Sequence, residues 1–74
     1  MQKTNICLNS IELVKQFATI AEKQECDIDI KCGHYLVDGK SILGIFSMDL
    51  TKELTLIIHS DHIEIMEKFR KFIV

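Results

Sequence analysis

Three histidines are the residues of this chain best suited to chemistry, because an imidazole can carry a proton, act as a nucleophile or bind a metal. They are His34, His59 and His62, and Asp61 lies between the last two. A metal site would need three or four converging ligands, which would here include a cysteine or Asp61. Strand alternation places His59 on the sheet face opposite to two of the three cysteines. We therefore expect neither a metal nor another cofactor.

The three cysteines, Cys7, Cys26 and Cys32, are odd in number and show no CxxC spacing. That pattern favours free, reduced thiols over a disulfide framework or a zinc site. Alternation along the strands predicts that Cys7 lies on the open face of a sheet and that the other two lie beneath helices.

Composition predicts one folded domain over residues 1–74. Apolar residues make up 47% of the chain and charged residues 27%, which is typical of a compact domain. The net charge of −2 is spread in both signs, so no basic stripe is available to follow a phosphate backbone, and we expect no nucleic acid partner. No apolar run reaches the roughly 20 residues needed to cross a bilayer, and the first residues lack a signal peptide's apolar core. We expect a cytoplasmic protein with no membrane partner.

Four segments are expected to form strands, three of them because apolar and polar residues alternate and the third in chain order because it follows a hairpin loop. They are Lys3–Leu8, Cys26–Cys32, Tyr35–Val37 and Glu53–His59. Gly33 and His34 match a two-residue hairpin loop in which the glycine supplies a positive φ. The short strand that follows this loop is expected at an edge of the sheet.

Two amphipathic helices flank these strands. The first is expected to begin at Asn9 as its cap, with Glu12 reaching back in a capping box. Its apolar side is predicted to contain Ile11, Leu13, Val14, Phe17, Ala18, Ile20 and Ala21. The last helix has a second capping box, Asp61 with Glu64, and is expected to continue to the end of the chain. Its apolar stripe is Ile63, Ile65, Met66, Phe69, Phe72 and Ile73.

The segment "GKSILGIFSMDL", Gly39 to Leu50, fits a buried strand, a core helix or a partner-binding helix. We interpret it as a short helix with Ser41 as N-cap, since a fifth strand would compete with its neighbours for sheet positions. The element order is then βαββαβα. It predicts an α+β sandwich, an antiparallel four-stranded sheet with three helices on one face.

This chain resembles the HPr family, the small phosphocarriers of the bacterial sugar phosphotransferase system, and the resemblance implies an HPr-like open-faced sandwich. The closest match is "KSILGIFSM", Lys40 to Met48, which resembles the segment containing the family's regulatory serine. "QKT" at Gln2 to Thr4 and "CDIDI" at Cys26 to Ile30 also match, so the resemblance covers nearly the whole chain.

The family's phosphoryl-accepting run, glycine-isoleucine-histidine-alanine-arginine-proline, is absent. Ser10, Ile11 and Glu12 stand where the histidine, alanine and arginine would fall. A serine without an adjacent base is a poor nucleophile, and Glu12 adds negative charge where a phosphoryl group needs positive charge. We expect no catalytic residue, no enzymatic activity and no histidine phosphocarrier activity.

Ser41 and the helix it begins are the candidate functional residues. The resemblance implies phosphorylation of Ser41 by a kinase, although the same serine also fits a plain helix cap. Lys40, the neighbouring residue, could partly neutralise the negative charge of a phosphate on Ser41. On a short helix Ile45 and Met48 share a row with Ser41, so Ile42, Leu43 and Phe46 cannot all face the sheet. The resemblance implies that these three dock a protein partner, while their burial in the core or in a homodimer contact stays open.

The leading hypothesis is a regulatory or interaction module without carrier activity. Two alternatives remain. One is a working phosphocarrier that uses Ser10 or a histidine outside the motif as acceptor. The other is an HPr-fold protein with an unrelated self-association role. The sequence allows a monomer or a weak homodimer.

Overall fold

A single antiparallel sheet forms one layer of the fold. The computed structural model describes residues 1–74. The strands are β1 (Gln2–Ile6), β2 (Ile28–Cys32), β3 (Tyr35–Asp38) and β4 (Leu54–Ile58), in the spatial order β1-β4-β2-β3. Each neighbouring pair is antiparallel.

Three helices form the other layer. They are α1 (Ile11–Glu22), α2 (Ile42–Phe46) and α3 (Ile63–Glu67), and a short 3-10 helix follows at Arg70–Phe72. The predicted α+β class, the element order and the helical interpretation of the middle segment are confirmed. None of these helices is long and apolar enough to span a bilayer.

The hydrophobic core lies between the sheet and the helices, because alternate residues of each strand face the same side. Fifteen buried residues form one cluster. The strands contribute Ile6, Ile28, Ile30, Leu54, Leu56 and Ile58 to it, and α1 contributes Val14, Phe17, Ala18 and Ala21. Cys26 and Cys32 are half-buried and pack against this cluster, whereas Cys7 is half-buried outside it, and all three are free thiols.

The loop between β2 and β3 has the predicted glycine geometry. Gly33 has a φ of 61°, the left-handed conformation that glycine adopts without a steric penalty. The loop sets the register in which Cys32 faces Tyr35. It places β3 at an edge of the sheet, as predicted.

Both predicted helix caps are wrong in detail. Ser10, not Asn9, caps α1, since its Oγ accepts a hydrogen bond from the Leu13 amide at 3.1 Å. The cap of α3 is His62, without a side-chain bond, because Asp61 pairs instead with the N-terminal ammonium of Met1. Both serine and asparagine are good caps, so the helix start differs by one residue from the predicted one.

The predicted last helix ends earlier than its apolar stripe. After α3 the chain tightens into the 3-10 helix, and Ile73 forms an isolated β-bridge with Ile6. The Val74 amide donates to the Asn5 carbonyl at 3.1 Å, and the Cys7 amide donates to the Phe72 carbonyl at 2.9 Å. The last residues therefore form hydrogen bonds with the backbone next to and within β1 instead of continuing the helix.

Candidate protein-docking site

The N-terminus of α1 is the position that the resemblance to the HPr family assigns to a phosphoryl-accepting residue. Ser10 occupies it with extended backbone geometry, and its hydroxyl is engaged as an acceptor by the Leu13 amide. No base forms a hydrogen bond with this hydroxyl. The Glu12 side chain accepts a weak hydrogen bond from Gln16 at 3.4 Å and does not close the predicted capping box. The Ser10 hydroxyl therefore satisfies a free backbone amide in the first turn of α1, and it is not activated as a nucleophile.

Ser41 is the predicted N-cap of α2. Its Oγ accepts a hydrogen bond from the Gly44 amide at 3.0 Å, and the residue is half-buried. A Cβ on Gly44 would lie 3.2 Å from this Oγ and 3.5 Å from the Cβ of Val37, so the glycine permits close packing of the cap and β3. The Lys40 ammonium donates to the Gln24 carbonyl at 2.8 Å. Lys40 therefore stabilises the end of α1, a role that its position beside Ser41 did not reveal.

The short helix α2 divides its apolar residues between the core and the solvent. Ile45 is fully buried and Met48 is 7% exposed. In contrast, Leu43 is 84% exposed, and Ile42 and Phe46 are 41% and 40% exposed. We call the last three residues the α2 patch. Ile45 and Met48, which share a row with Ser41, are thus the residues of this segment that face the core.

An open groove joins the start of α1 to the end of α2. It is lined by Asn9, Ser10, Ile11, Phe46, Leu50 and Thr51. Ile11, predicted to face the core, is 64% exposed because it is the first residue of α1 and projects beyond the packed turns. The groove thus extends the α2 patch with two further apolar side chains, Ile11 and Leu50.

Sequence reasoning missed both additional residues for different reasons. Ile11 shares the apolar side of the helical wheel, and the wheel does not show where the covering layer ends. Leu50 lies four residues after Phe46, a spacing that would bring the two together if the helix continued. Because α2 ends at Phe46, helical spacing could not predict that Phe46 and Leu50 line the same groove.

Asp49 is the ionisable residue with a shifted pKa beside this groove. Its Oδ1 accepts hydrogen bonds from the Thr51 hydroxyl at 2.6 Å and from the Thr51 amide at 3.1 Å. The hydroxyl bond is the main cause that holds the pKa of Asp49 below its usual value, followed by the amide bond. The loop that carries Leu50 is thereby held in one turn.

The three histidines lie apart from the groove. His34 is exposed in the β2–β3 loop, and His59 Nε2 lies 2.7 Å from Asp29 Oδ2 on the open face of the sheet. His62 begins α3 and places its Nδ1 3.5 Å from Glu64 Oε1. No three histidine, cysteine or acidic side chains are grouped so that they could hold a metal ion.

Solved structures that share this architecture include two phosphocarrier-fold proteins. HPr-C-His from Thermoanaerobacter tengcongensis superposes with a TM-score of 0.83 at 21% identity, over 99% of this chain and 91% of that one. The phosphocarrier protein HPr from Bacillus anthracis strain Ames superposes with a TM-score of 0.74 at 23% identity, over 99% and 94%. No family model and no curated protein matches the chain. The likeness establishes the HPr fold over the whole chain and confirms the resemblance at that level.

Proposed function

We propose that this chain is an HPr-like regulatory or interaction module related to the bacterial sugar phosphotransferase system. It binds a partner protein in the bacterial cytoplasm, is not an enzyme and does not carry phosphate on a histidine. One observation carries the proposal. The start of α1 holds Ser10 as a plain cap, while the adjacent α2 keeps an exposed apolar patch.

The loss of carrier activity follows from the chemistry at the start of α1. A phosphoryl acceptor needs a nucleophile and nearby positive charge to stabilise the transferred group. Ser10 has its hydroxyl engaged by a backbone amide, and Glu12 adds negative charge to the first turn. Both features favour the helix and oppose phosphoryl transfer.

Phosphorylation with purified components tests this part of the proposal. Incubation with phosphoenolpyruvate and the first enzyme of the system should leave the mass of the protein unchanged. The HPr protein of Bacillus anthracis serves as a parallel positive control. Stoichiometric, acid-labile phosphate on His34, His59 or His62 would overturn the proposal and establish a carrier with an unconventional acceptor.

The α2 patch is the proposed docking surface. Its three side chains project from one short helix, and Ile11 and Leu50 extend the apolar area into the groove. Removing such side chains from water on binding is favourable in proportion to the area covered. A protein with a complementary apolar surface is the partner that this patch fits.

Truncation of the patch tests docking. Leu43→Ala and Phe46→Ala should each weaken binding to a partner recovered from the native cytosol. Loss of an aromatic anchor removes about 1.5–3 kcal/mol, at least a tenfold change in affinity. Ile63→Ala is the matched control, since Ile63 is 74% exposed outside the patch. Equal binding by all three folded variants would exclude α2 from the docking surface.

Phosphorylation of Ser41 is the proposed regulation. The backbone amides at the start of α2 favour negative charge, so a phosphate can be accommodated there without loss of the helix. The kinase that modifies Ser41 would be a second protein partner. A charged group next to Ile42 would oppose apolar docking by desolvation cost.

Two substitutions separate regulation from capping. Ser41→Asp keeps a good N-cap and adds charge, whereas Ser41→Ala removes the cap without adding charge. We expect Ser41→Asp to retain the thermal midpoint and to change partner affinity. Ser41→Ala should lower the thermal midpoint and leave partner affinity unchanged. Unchanged partner affinity for Ser41→Asp would reduce Ser41 to a structural cap.

A further inference from the structure

The two edges of the sheet differ in how they are protected. The end of the chain covers the last residues of the β1 edge through the bridge of Ile6 with Ile73 and the bond from the Val74 amide to the Asn5 carbonyl. The β3 edge has no such cover. Its four residues include no lysine or proline, so the short length of the strand and the charge of Asp38 are its protection against pairing.

The backbone groups that β3 presents outward can be identified from its register. The Gly39 amide donates to the Ile28 carbonyl at 2.7 Å, so this is a hydrogen-bonded pair of the ladder. Bonded and non-bonded pairs alternate along an antiparallel ladder. The amide and carbonyl groups of Leu36 and the amide of Asp38 therefore point away from β2, toward the solvent.

We propose that β3 is the contact between two copies of this chain, which pair antiparallel about Leu36 and join their sheets into one. Leu36 of one copy then faces Leu36 of the other, and the two exchange a pair of backbone hydrogen bonds. Leu36 and Tyr35 are 55% and 50% exposed in a single copy. Tyr35 faces Val37 of the second copy on the helical side.

Hydrogen-bond complementarity between side chains selects this register. It brings Asp38 opposite His34 of the second copy, and the two-fold symmetry repeats the pair. The His34 side chain forms no hydrogen bond within its own chain, and the Asp38 side chain uses only Oδ1, which accepts from the Lys40 amide at 2.9 Å. A register centred on Asp38 would place the Asp38 carboxylates of the two copies opposite each other. A register centred on Val37 would place the apolar Leu36 opposite the charged Asp38.

Sedimentation of the intact chain tests the contact. The paired surface is small, so we expect a monomer near about 10 µM and a dimer toward about 1 mM. Leu36→Glu places its carboxylate beside Lys31 within the chain but beside a second carboxylate in the dimer. This change should raise the dissociation constant at least tenfold. Ile63→Glu, the same change at a site 74% exposed away from β3, should leave dimerisation unchanged.

Amide exchange in the unmodified protein provides a second, independent readout. The Leu36 amide should exchange freely in dilute protein and become protected as the dimer forms. A protein that stays monomeric at about 1 mM overturns the proposal. So does a dimer that survives Leu36→Glu, or one in which the Leu36 amide continues to exchange freely.

Discussion

At the scale of single residues, Ile45 and Phe46 are chain neighbours with opposite environments. Ile45 is fully buried and Phe46 is 40% exposed. Ile45→Ala should lower the free energy of unfolding by about 2–5 kcal/mol, because it leaves a cavity in the core. Phe46→Ala should lower it by about 1–2 kcal/mol, since only part of the ring is covered. Urea unfolding of both variants measures the difference, and equal losses would place Phe46 in the core.

The pKa of Asp49 offers a second residue-scale prediction. It is lowered mainly by the Thr51 hydroxyl, so Thr51→Val should raise the pKa toward its usual value while the amide bond retains part of the shift. Because the pKa of Asp49 is lower in the folded state than in the unfolded state, the ionised carboxylate stabilises the fold at pH values above its unfolded-state pKa. This stabilisation is lost as the pH falls through the folded-state pKa. Carbon-detected NMR titration of the carboxyl group follows the change. Thr51→Ser keeps the hydroxyl and should keep the low pKa.

At the scale of the elements, the start of α1 depends on one side chain. Ser10→Ala removes the acceptor for the Leu13 amide and should lower the free energy of unfolding by about 1 kcal/mol. Asn9→Ala, one residue earlier, should have a smaller effect, because Asn9 does not cap the helix. Thermal unfolding by circular dichroism compares the two. A larger loss for Asn9→Ala would show that the helix begins at the predicted residue after all.

Local patterns predicted the elements well where one physical rule decided the outcome. Gly33 after the alternating segment Cys26–Cys32 predicted the hairpin, and Ser41 predicted the start of α2 as its N-cap. The same geometry indicated that Ile42, Leu43 and Phe46 cannot all face the sheet, but it did not show which of them is exposed.

Contacts between distant segments decided the features that the sequence did not predict. The segment after α3 is not helical to its end, because Ile73 pairs with Ile6 of β1, and no local sequence pattern indicates that contact. Asp61 does not cap α3 as predicted, because its carboxylate pairs with the N-terminal ammonium, 60 residues away in the sequence. Ile11 joined the candidate site because of where α2 ends relative to α1. The docking groove was therefore only partly predictable.

At the scale of the whole molecule, three aromatic rings connect α1 to the end of the chain. The Phe17 ring centre lies 5.0 Å from that of Phe69 and 5.3 Å from that of Phe72. All three rings are buried, and the Phe72 carbonyl also accepts from the Cys7 amide. The cluster therefore holds the helical layer and β1 together.

Phe72→Ala should remove about 3–5 kcal/mol of stability, a large part of the roughly 5–15 kcal/mol typical of a domain. Because β1 is bonded to this segment, the loss should extend across the sheet. Phe72→Leu keeps most of the volume and should cost less. Thermal unfolding with amide exchange measures both effects, and a thermal midpoint that Phe72→Ala leaves within a few degrees would show that the cluster contributes little.

The position of β1 has a consequence for the time order of folding. Its partners are β4, where Gln2 faces Ile58, and the final residues, where Ile6 meets Ile73. Of the four strands β1 is synthesised first, yet both of its partners follow the β2–β3 hairpin in the sequence. The β2–β3 hairpin pairs residues close in sequence and can form while the ribosome is still adding β4. The first strand to be synthesised is therefore the last to be paired, and until then its edge is open to chaperones and to other nascent chains.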